Sequence, residues 1–260
     1  MTTVIADELS DAAWRRLLAR DPAAAELSPL YGPLLAPPPA ADGCFVLGRI
    51  VQTLDGRIAT VDGASFWIGG QQDILHTHRL RALSDAVVVG AGTVRADDPL
   101  LTTRHCAGPS PVRVIFDADR RLAAEHRVFS CGPATLLLCA SDTSGPDRIG
   151  AAEVLCLPRA NRGGGLDIAA AVAMLAARGL RRIFVEGGGV TVSRFLAAGL
   201  LDRLHVTIAP LLLGAGIPAF TLPGVARPEH GMRLDWSVHR LGCDLLLDIA
   251  VRRARPSGCA

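Results

Sequence analysis

The sequence predicts an α/β fold: a mostly parallel twisted sheet with helices on both faces and an antiparallel C-terminal edge. Three observations predict it. Short apolar runs rich in valine, isoleucine and leucine alternate with segments whose apolar residues recur at helical spacing. Two of these runs end in glycines, and the second of them leads straight into a helical pattern. The last two β-runs, RLDWSVHRLG and CDLLLDIAV, follow one another with no helix between them.

The elements follow in order. Residues 7–20, DELSDAAWRRLLAR, form an amphipathic helix with acids in its first turn and arginines in its last. Residues 33–42, PLLAPPPAAD, read as a proline-rich linker, so residues 1–42 are expected to be an appendage outside the main sheet. From residue 44, FVLGRIVQTL is an apolar strand closed by the Asp55-Gly56 turn signal. A helix over 71–83 leads to the strand DAVVVG (85–90), followed by the strands PVRVIFDA (111–118), ATLLLCA (134–140) and AEVLCLP (152–158). LDIAAAVAMLAARG is a helix stopped at Gly179. Then come the strand RRIFVE, a helix through Gly199, a strand over 203–214 and the two closing runs. One main unit over 43–253 and a short tail, 254–260, complete the organisation.

Composition narrows the function. The chain has 260 residues, enough for a full core, and a net charge of only +2. No basic run suits a nucleic-acid backbone, and no uninterrupted apolar stretch of about 18 residues suits a bilayer. The N-terminus lacks the pattern of a secretory signal, so a cytosolic protein is expected. All 27 basic residues are arginine, which rules out a lysine Schiff base. Seven scattered cysteines without C-x-x-C spacing are expected to be buried and inert, and His76 and His78 are a poor metal pair at their two-residue spacing.

The chemistry gathers at strand ends. RRIFVEGGGVTVSRFLAAGL places Glu186 and three glycines at a strand-to-helix corner, where backbone N–H groups can approach an anion. A carboxylate so close to the sheet needs either an arginine or a ligand as partner. GAGTVRADDPLLTTR repeats the architecture, although Asp98 before Pro99 reads simply as a turn opener. DGRIATVDGASFWIGG has the makings of a ligand-covering loop, with Trp67 either against a ring or in the core. Arg81 lies on the apolar flank of its helix and wants an anion, either Asp85 or a substrate phosphate.

Taken together, TLDGRIAT, SFWI, HRLRALSDAVVVGAGTVRADDPLLTTR and VEGGGVTVSRFLAAGLLDRLHVTIAPLLLG resemble the pyrimidine reductase domain of riboflavin biosynthesis, over about residues 44–250. The resemblance implies a dihydrofolate-reductase-like fold, a homodimer, and an NADPH-dependent enzyme acting on a 5-phosphoribosylamino-pyrimidine. Hydride would pass to C1′ of the opened, imine-like sugar. Ser65, Arg81, Leu101, Arg104 and Glu186 would contact the substrate. Val51, Trp67, Thr93, Asp97 and the 188–194 segment, with Gly188, Gly189, Val190 and Thr191, would line the NADPH site. Asp55 matches the family's S-L-D-G motif, with Thr53 where serine is usual. Asp55 and Glu186 are candidate catalytic acids if burial keeps either protonated, and water or the substrate could serve instead.

Many bacterial relatives carry a zinc deaminase ahead of this domain, and residues 1–42 are too short for one. A separate deaminase would then supply the substrate, or the chain would accept the undeaminated diaminopyrimidine. A pterin or folate reductase, a paralogue in another pathway and a noncatalytic NADPH-binding module are the competing readings. The arginines and Ser65 favour a phosphorylated substrate over a pterin.

Overall fold

The computed structural model describes residues 4–6, 9–38, 40–66, 68–160 and 165–251. Its first half contains β1 (Val4–Ala6), α1 (Asp11–Leu18), β2 (Phe45–Thr53), β3 (Arg57–Ala59), α2 (Gln71–Leu83), β4 (Ala86–Gly90), α3 (Ala91–Asp97), β5 (Val112–Phe116) and α4 (Arg127–Ser130). The second half adds β6 (Thr135–Ala140), β7 (Arg148–Ile149), β8 (Ala152–Leu157), α5 (Ile168–Ala177), β9 (Arg182–Glu186), α6 (Gly189–Ala197), β10 (Arg203–Ala209), β11 (Ile217–Pro218), β12 (Asp235–Leu241) and β13 (Asp244–Ala250).

The main sheet has the order β1-β12-β13-β10-β2-β9-β4-β5-β6-β8-β7. Every pairing from β10 through β8 is parallel, whereas β13 runs antiparallel to both β10 and β12. The expected fold class is therefore the observed one. The central strands carry apolar side chains on both faces because each face is covered. On one face Leu80 and Leu83 of α2 pack with Val87, Val89 and Phe184. On the other, Val172 and Leu175 of α5 and Val192 and Phe195 of α6 pack with Val88, Val114 and Val185.

The N-terminal segment corrects the expectation of an appendage. Its β1 extends the sheet edge, parallel to β12. Trp14, Leu17, Leu30, Tyr31 and Leu34 are buried in the same core as α2. Such side chains each contribute about 1.5–3 kcal/mol when buried, far more than a tethered appendage would gain. The Trp14 indole donates to the Ala107 carbonyl at 3.0 Å, and the Arg79 guanidinium lies 5.5 Å from the Trp14 ring centroid. Pro22 and Pro33 stand in the first turns of short 3-10 helices, and the one at Gly32–Leu34 replaces the expected open linker.

Buried polar groups join this segment to the far edge of the sheet. The Tyr31 hydroxyl lies 2.8 Å from His76 Nδ1, and His76 Nε2 lies 3.1 Å from His205 Nδ1. His205 Nε2 is 3.2 Å from Asp248 Oδ1, and Asp248 also takes both arms of Arg203. Burial lowers the affinity of both histidines for protons, that of His76 most strongly. They are therefore neutral at pH 7. Among the described residues no helix is long and apolar enough to cross a membrane, and no group of three or more His, Cys, Asp or Glu could hold a metal ion.

Candidate active site

A cleft of about 1040 Å³ opens at the carboxyl ends of β2, β9, β4 and β5, where loops and helix N-termini converge. The neighbouring tips of β4 and β9 are locked together. A Cβ at Gly90 would stand 2.6 Å from Thr191 Oγ1, and one at Gly188 would stand 2.9 Å from Thr93 Oγ1. Gly188 also adopts φ +69°, a conformation costly for other residues. Glycine at these corners lets the two turns meet.

Three helices begin at the cleft on glycines with no side-chain cap: α2 after Gly70, α3 after Gly90 and α6 after Gly188. By contrast, α1 and α5 are capped by the side chains of Ser10 and Asp167. Free backbone N–H groups at these termini suit an anionic group, as a dinucleotide's pyrophosphate would provide.

Glu186 ends β9 and is paired across the cleft floor with Arg81 of α2. Arg81 Nε donates to Glu186 Oε2 at 2.7 Å, its Nη2 donates to Oε1, and its Nη1 donates to the Thr102 carbonyl at 2.8 Å. Arg81 thus pairs with Glu186 and not with Asp85. Asp85 instead accepts from Arg20 and from the backbone N–H groups of Arg181 and Arg182. Burial opposes the Glu186 charge, but the charge and hydrogen bonds of Arg81, backed by Arg49 and His78, hold its carboxyl below the usual range. Glu186 is a carboxylate, which corrects its candidacy as a proton donor.

The other candidate acid, Asp55, is not among the residues lining the cleft. Its carboxylate accepts from the Thr53 hydroxyl and from the backbone N–H groups of Leu213 and Gly214. The Thr53 hydrogen bond is the largest influence on it and lowers its pKa. Asp55 fastens the turn after β10, which stops at Ala209 before Pro210, a residue with no N–H for the ladder, and does not continue to residue 214. Asp97, by contrast, is pushed upward by partial burial, against a long 3.5 Å hydrogen bond from Ser65.

Val51, Ser65, Thr93, Leu101, Arg104, Gly188, Gly189, Val190 and Thr191 all line the cleft with Arg81, Asp97 and Glu186. Trp67 lies outside the described residues. Leu101 holds φ +54° while almost wholly buried, a strained corner that costs about 1–2 kcal/mol. Asp98, the expected turn opener, has φ +37° and is held by Arg127.

Sequence reasoning missed two side chains. Arg49, in register with Glu186 on β2, is buried and donates to Asp73 Oδ1 at 2.5 Å, while Thr207 donates to the same oxygen at 2.7 Å. Its Nε is buried with no hydrogen-bond partner among the described residues. An arginine inside the apolar run FVLGRIVQT was the available signal, by the argument already applied to Glu186. His78 accepts from the Arg104 backbone N–H at 3.1 Å. Burial first, then the charges of Arg81 and Arg104, lower its pKa to about 4. Neutral His78 with Nδ1 accepting carries its proton on Nε2. Together with His105, whose ring centroid is 4.6 Å away, and Arg104, it makes one end of the cleft basic.

Residues 45–247 match the family described as the RibD C-terminal domain. The chain belongs to the RibD C-terminal domain family. It is 33% identical over 219 residues to the 2,5-diamino-6-ribosylamino-4(3H)-pyrimidinone 5′-phosphate reductase of Methanothermobacter thermautotrophicus, covering 80% of this chain and 98% of that protein. It is 32% identical over 212 residues to the riboflavin biosynthesis protein RibD of Mycobacterium tuberculosis, covering 80% of this chain but 54% of the relative. The crystal structure of a deaminase/5-amino-6-(5-phosphoribosylamino)uracil reductase from Thermotoga maritima superposes with a TM-score of 0.68 at 25% identity. That match covers 88% of this chain and 61% of the other. As a RibD C-terminal domain, the chain is an oxidoreductase of the riboflavin-biosynthesis type, and the pterin alternative has no relative among those named.

Proposed function

We propose that this chain reduces a 5-phosphoribosylaminopyrimidine with NADPH, converting the ribosylamino side chain to ribitylamino. The observation that carries the reading is one cleft lined by the glycine corner of α6, the Arg81–Glu186 pair and Arg104. Uncapped N–H groups at the starts of α3 and α6 would hold the cofactor's pyrophosphate. When bound, NADPH supplies the hydride from its nicotinamide ring.

The residues of the chain position the other reactant. Arg104, exposed beside His78 and His105, offers a charged donor to the sugar phosphate. The Glu186 carboxylate, fixed by Arg81, can accept from sugar hydroxyls. We assign the proton that accompanies the hydride to Asp97, a cleft carboxyl whose pKa desolvation raises. Asp97→Asn should therefore lower kcat about tenfold or more at little cost in either KM, within the usual range for general acids. A change confined to the NADPH KM would return Asp97 to cofactor binding.

The deciding assay follows NADPH oxidation with the aminated and deaminated ribosylaminopyrimidine phosphates and with dihydrofolate. Turnover of either phosphate supports the proposal, and turnover of dihydrofolate alone refutes it. Arg104→Ala should raise the substrate KM about tenfold or more with the NADPH KM unchanged, since a charged hydrogen bond contributes about 1.5–3 kcal/mol. We place the enzyme in the cytosol as a homodimer joined through the β12–β13 ribbon, where Trp236 and Leu245 are exposed. Light scattering at micromolar concentration should give twice the chain mass, and Trp236→Arg should halve it.

A further inference from the structure

The sequence reading expected inert, buried thiols. Among the described residues, however, Cys131, Cys156 and Cys243 are exposed, and Cys156 does not stand alone. It faces the buried Cys139 on the adjacent parallel strand, as its direct register partner. Their sulfurs are 3.7 Å apart. Parallel neighbours are spaced about 4.8 Å apart, within the roughly 4.4–6.8 Å between Cα atoms that a disulfide spans.

We propose that Cys139 and Cys156 are a redox-modifiable pair that closes to a reversible intramolecular disulfide. The oxidant is a peroxide. The Cys156 thiolate attacks one peroxide oxygen, giving a sulfenic acid and releasing the other oxygen as water. The Cys139 sulfur then displaces water from that sulfenic acid and forms the S–S bond. Two thiols and one hydrogen peroxide thus become one disulfide and two waters, and an external dithiol reverses the change by two-electron reduction.

The arrangement favours bridging over deeper oxidation. Cys156 is the accessible member, so it meets the oxidant. Cys139 is already in contact as the resolving thiol and is sheltered from bulk oxidant. The Cys139 hydrogen bond, and then burial, push the Cys156 thiol above its ordinary value, so its reaction quickens toward alkaline pH.

The pair also sits where a bridge has mechanical consequence. On its outer side β8 pairs only with Arg148 and Ile149 of β7, so it is nearly an edge strand. Three residues beyond each cysteine are Asp142 and Arg159, whose 2.7 Å ion pair continues to Asp119 at the rim of the cleft. Linking the strands fastens the base of that chain of contacts.

The test uses the full chain, reduced and then exposed to hydrogen peroxide at pH 7 and pH 9, with quenched peptide mapping. The expected result is one linked peptide pair containing Cys139 and Cys156, formed faster at pH 9 and released by dithiothreitol. Cys156→Ser, an exposed substitution, should leave Cys139 as an unmodified thiol under the same treatment. The proposal is overturned if Cys156 goes to sulfinic or sulfonic acid without a bridge, or if the disulfide joins other cysteines. It is equally overturned if Cys139 oxidises unaided in Cys156→Ser.

Discussion

Arg81 and Glu186 show how one ion pair serves two ends at the scale of the residue. The two side chains are mostly buried, so each charge relies on the other, and the arginine's third contact anchors the Thr102 carbonyl beside Arg104. Removing one partner of such a pair leaves an uncompensated charge and costs about 3–5 kcal/mol. Glu186→Gln should therefore lower stability by roughly that amount and reduce turnover as well, because the 102–104 segment loses its fixed position. Urea denaturation alongside steady-state kinetics checks this, and a variant with wild-type stability and low kcat would show that Arg81 finds another partner. The sequence made the need for a partner at Glu186 legible, since a lone acid at a buried strand end is costly. It did not make the partner legible, because 105 residues separate the two.

At the scale of the element, legibility followed hydrophobic pattern. The helix α2 occupies Gln71–Leu83, the residues its spacing predicts, and apart from β10, which stops at Ala209 and not at residue 214, each expected central strand is present within a residue or two. The short helix α3 was not visible because AGTVRAD carries no apolar period, begins on a glycine and has no capping side chain. Those omissions are the ones that leave its N-terminus open to a ligand. The N-terminal segment misled for the opposite reason, as prolines that suggest a linker flank the buried Leu30, Tyr31 and Leu34. Glycine at the start of α6 is the element-scale feature most open to test. Gly188→Ala imposes a left-handed alanine worth about 1–2 kcal/mol and drives its Cβ to within 2.9 Å of Thr93 Oγ1. The turn should shift, raising the NADPH KM about tenfold while the substrate KM changes little. Unchanged cofactor binding would mean that the pyrophosphate does not rest on α6.

At the scale of the whole molecule, residues 31, 76, 205 and 248 come from four distant parts of the chain, and only the folded sheet brings them together. Tyr31 Oη lies 2.8 Å from His76 Nδ1, His76 Nε2 lies 3.1 Å from His205 Nδ1, and His205 Nε2 lies 3.2 Å from Asp248 Oδ1. Burial in this row disfavours a second proton on either ring, so both are neutral in the fold. Their folded pKa values lie below the ordinary 6.5, with burial as the main cause. The unfolded chain consequently takes up protons first as pH falls. Stability is complete above pH 6.5 and declines below it, each histidine adding a slope of up to about 1.4 kcal/mol per pH unit. Asp248 has the opposite origin but a later effect. Its pKa is lowered to about 2 by His205 and Arg203 against the cost of burial, so its share is lost only below the ordinary 3.8. Acid unfolding should therefore begin between pH 6.5 and 5, before carboxylates titrate. Urea midpoints measured from pH 8 to pH 4 should fall through that window in the wild type, and His205→Gln should flatten the decline while lowering the midpoint at pH 8. A wild-type midpoint that holds constant down to pH 4.5 would mean that this buried chain admits protons without unfolding.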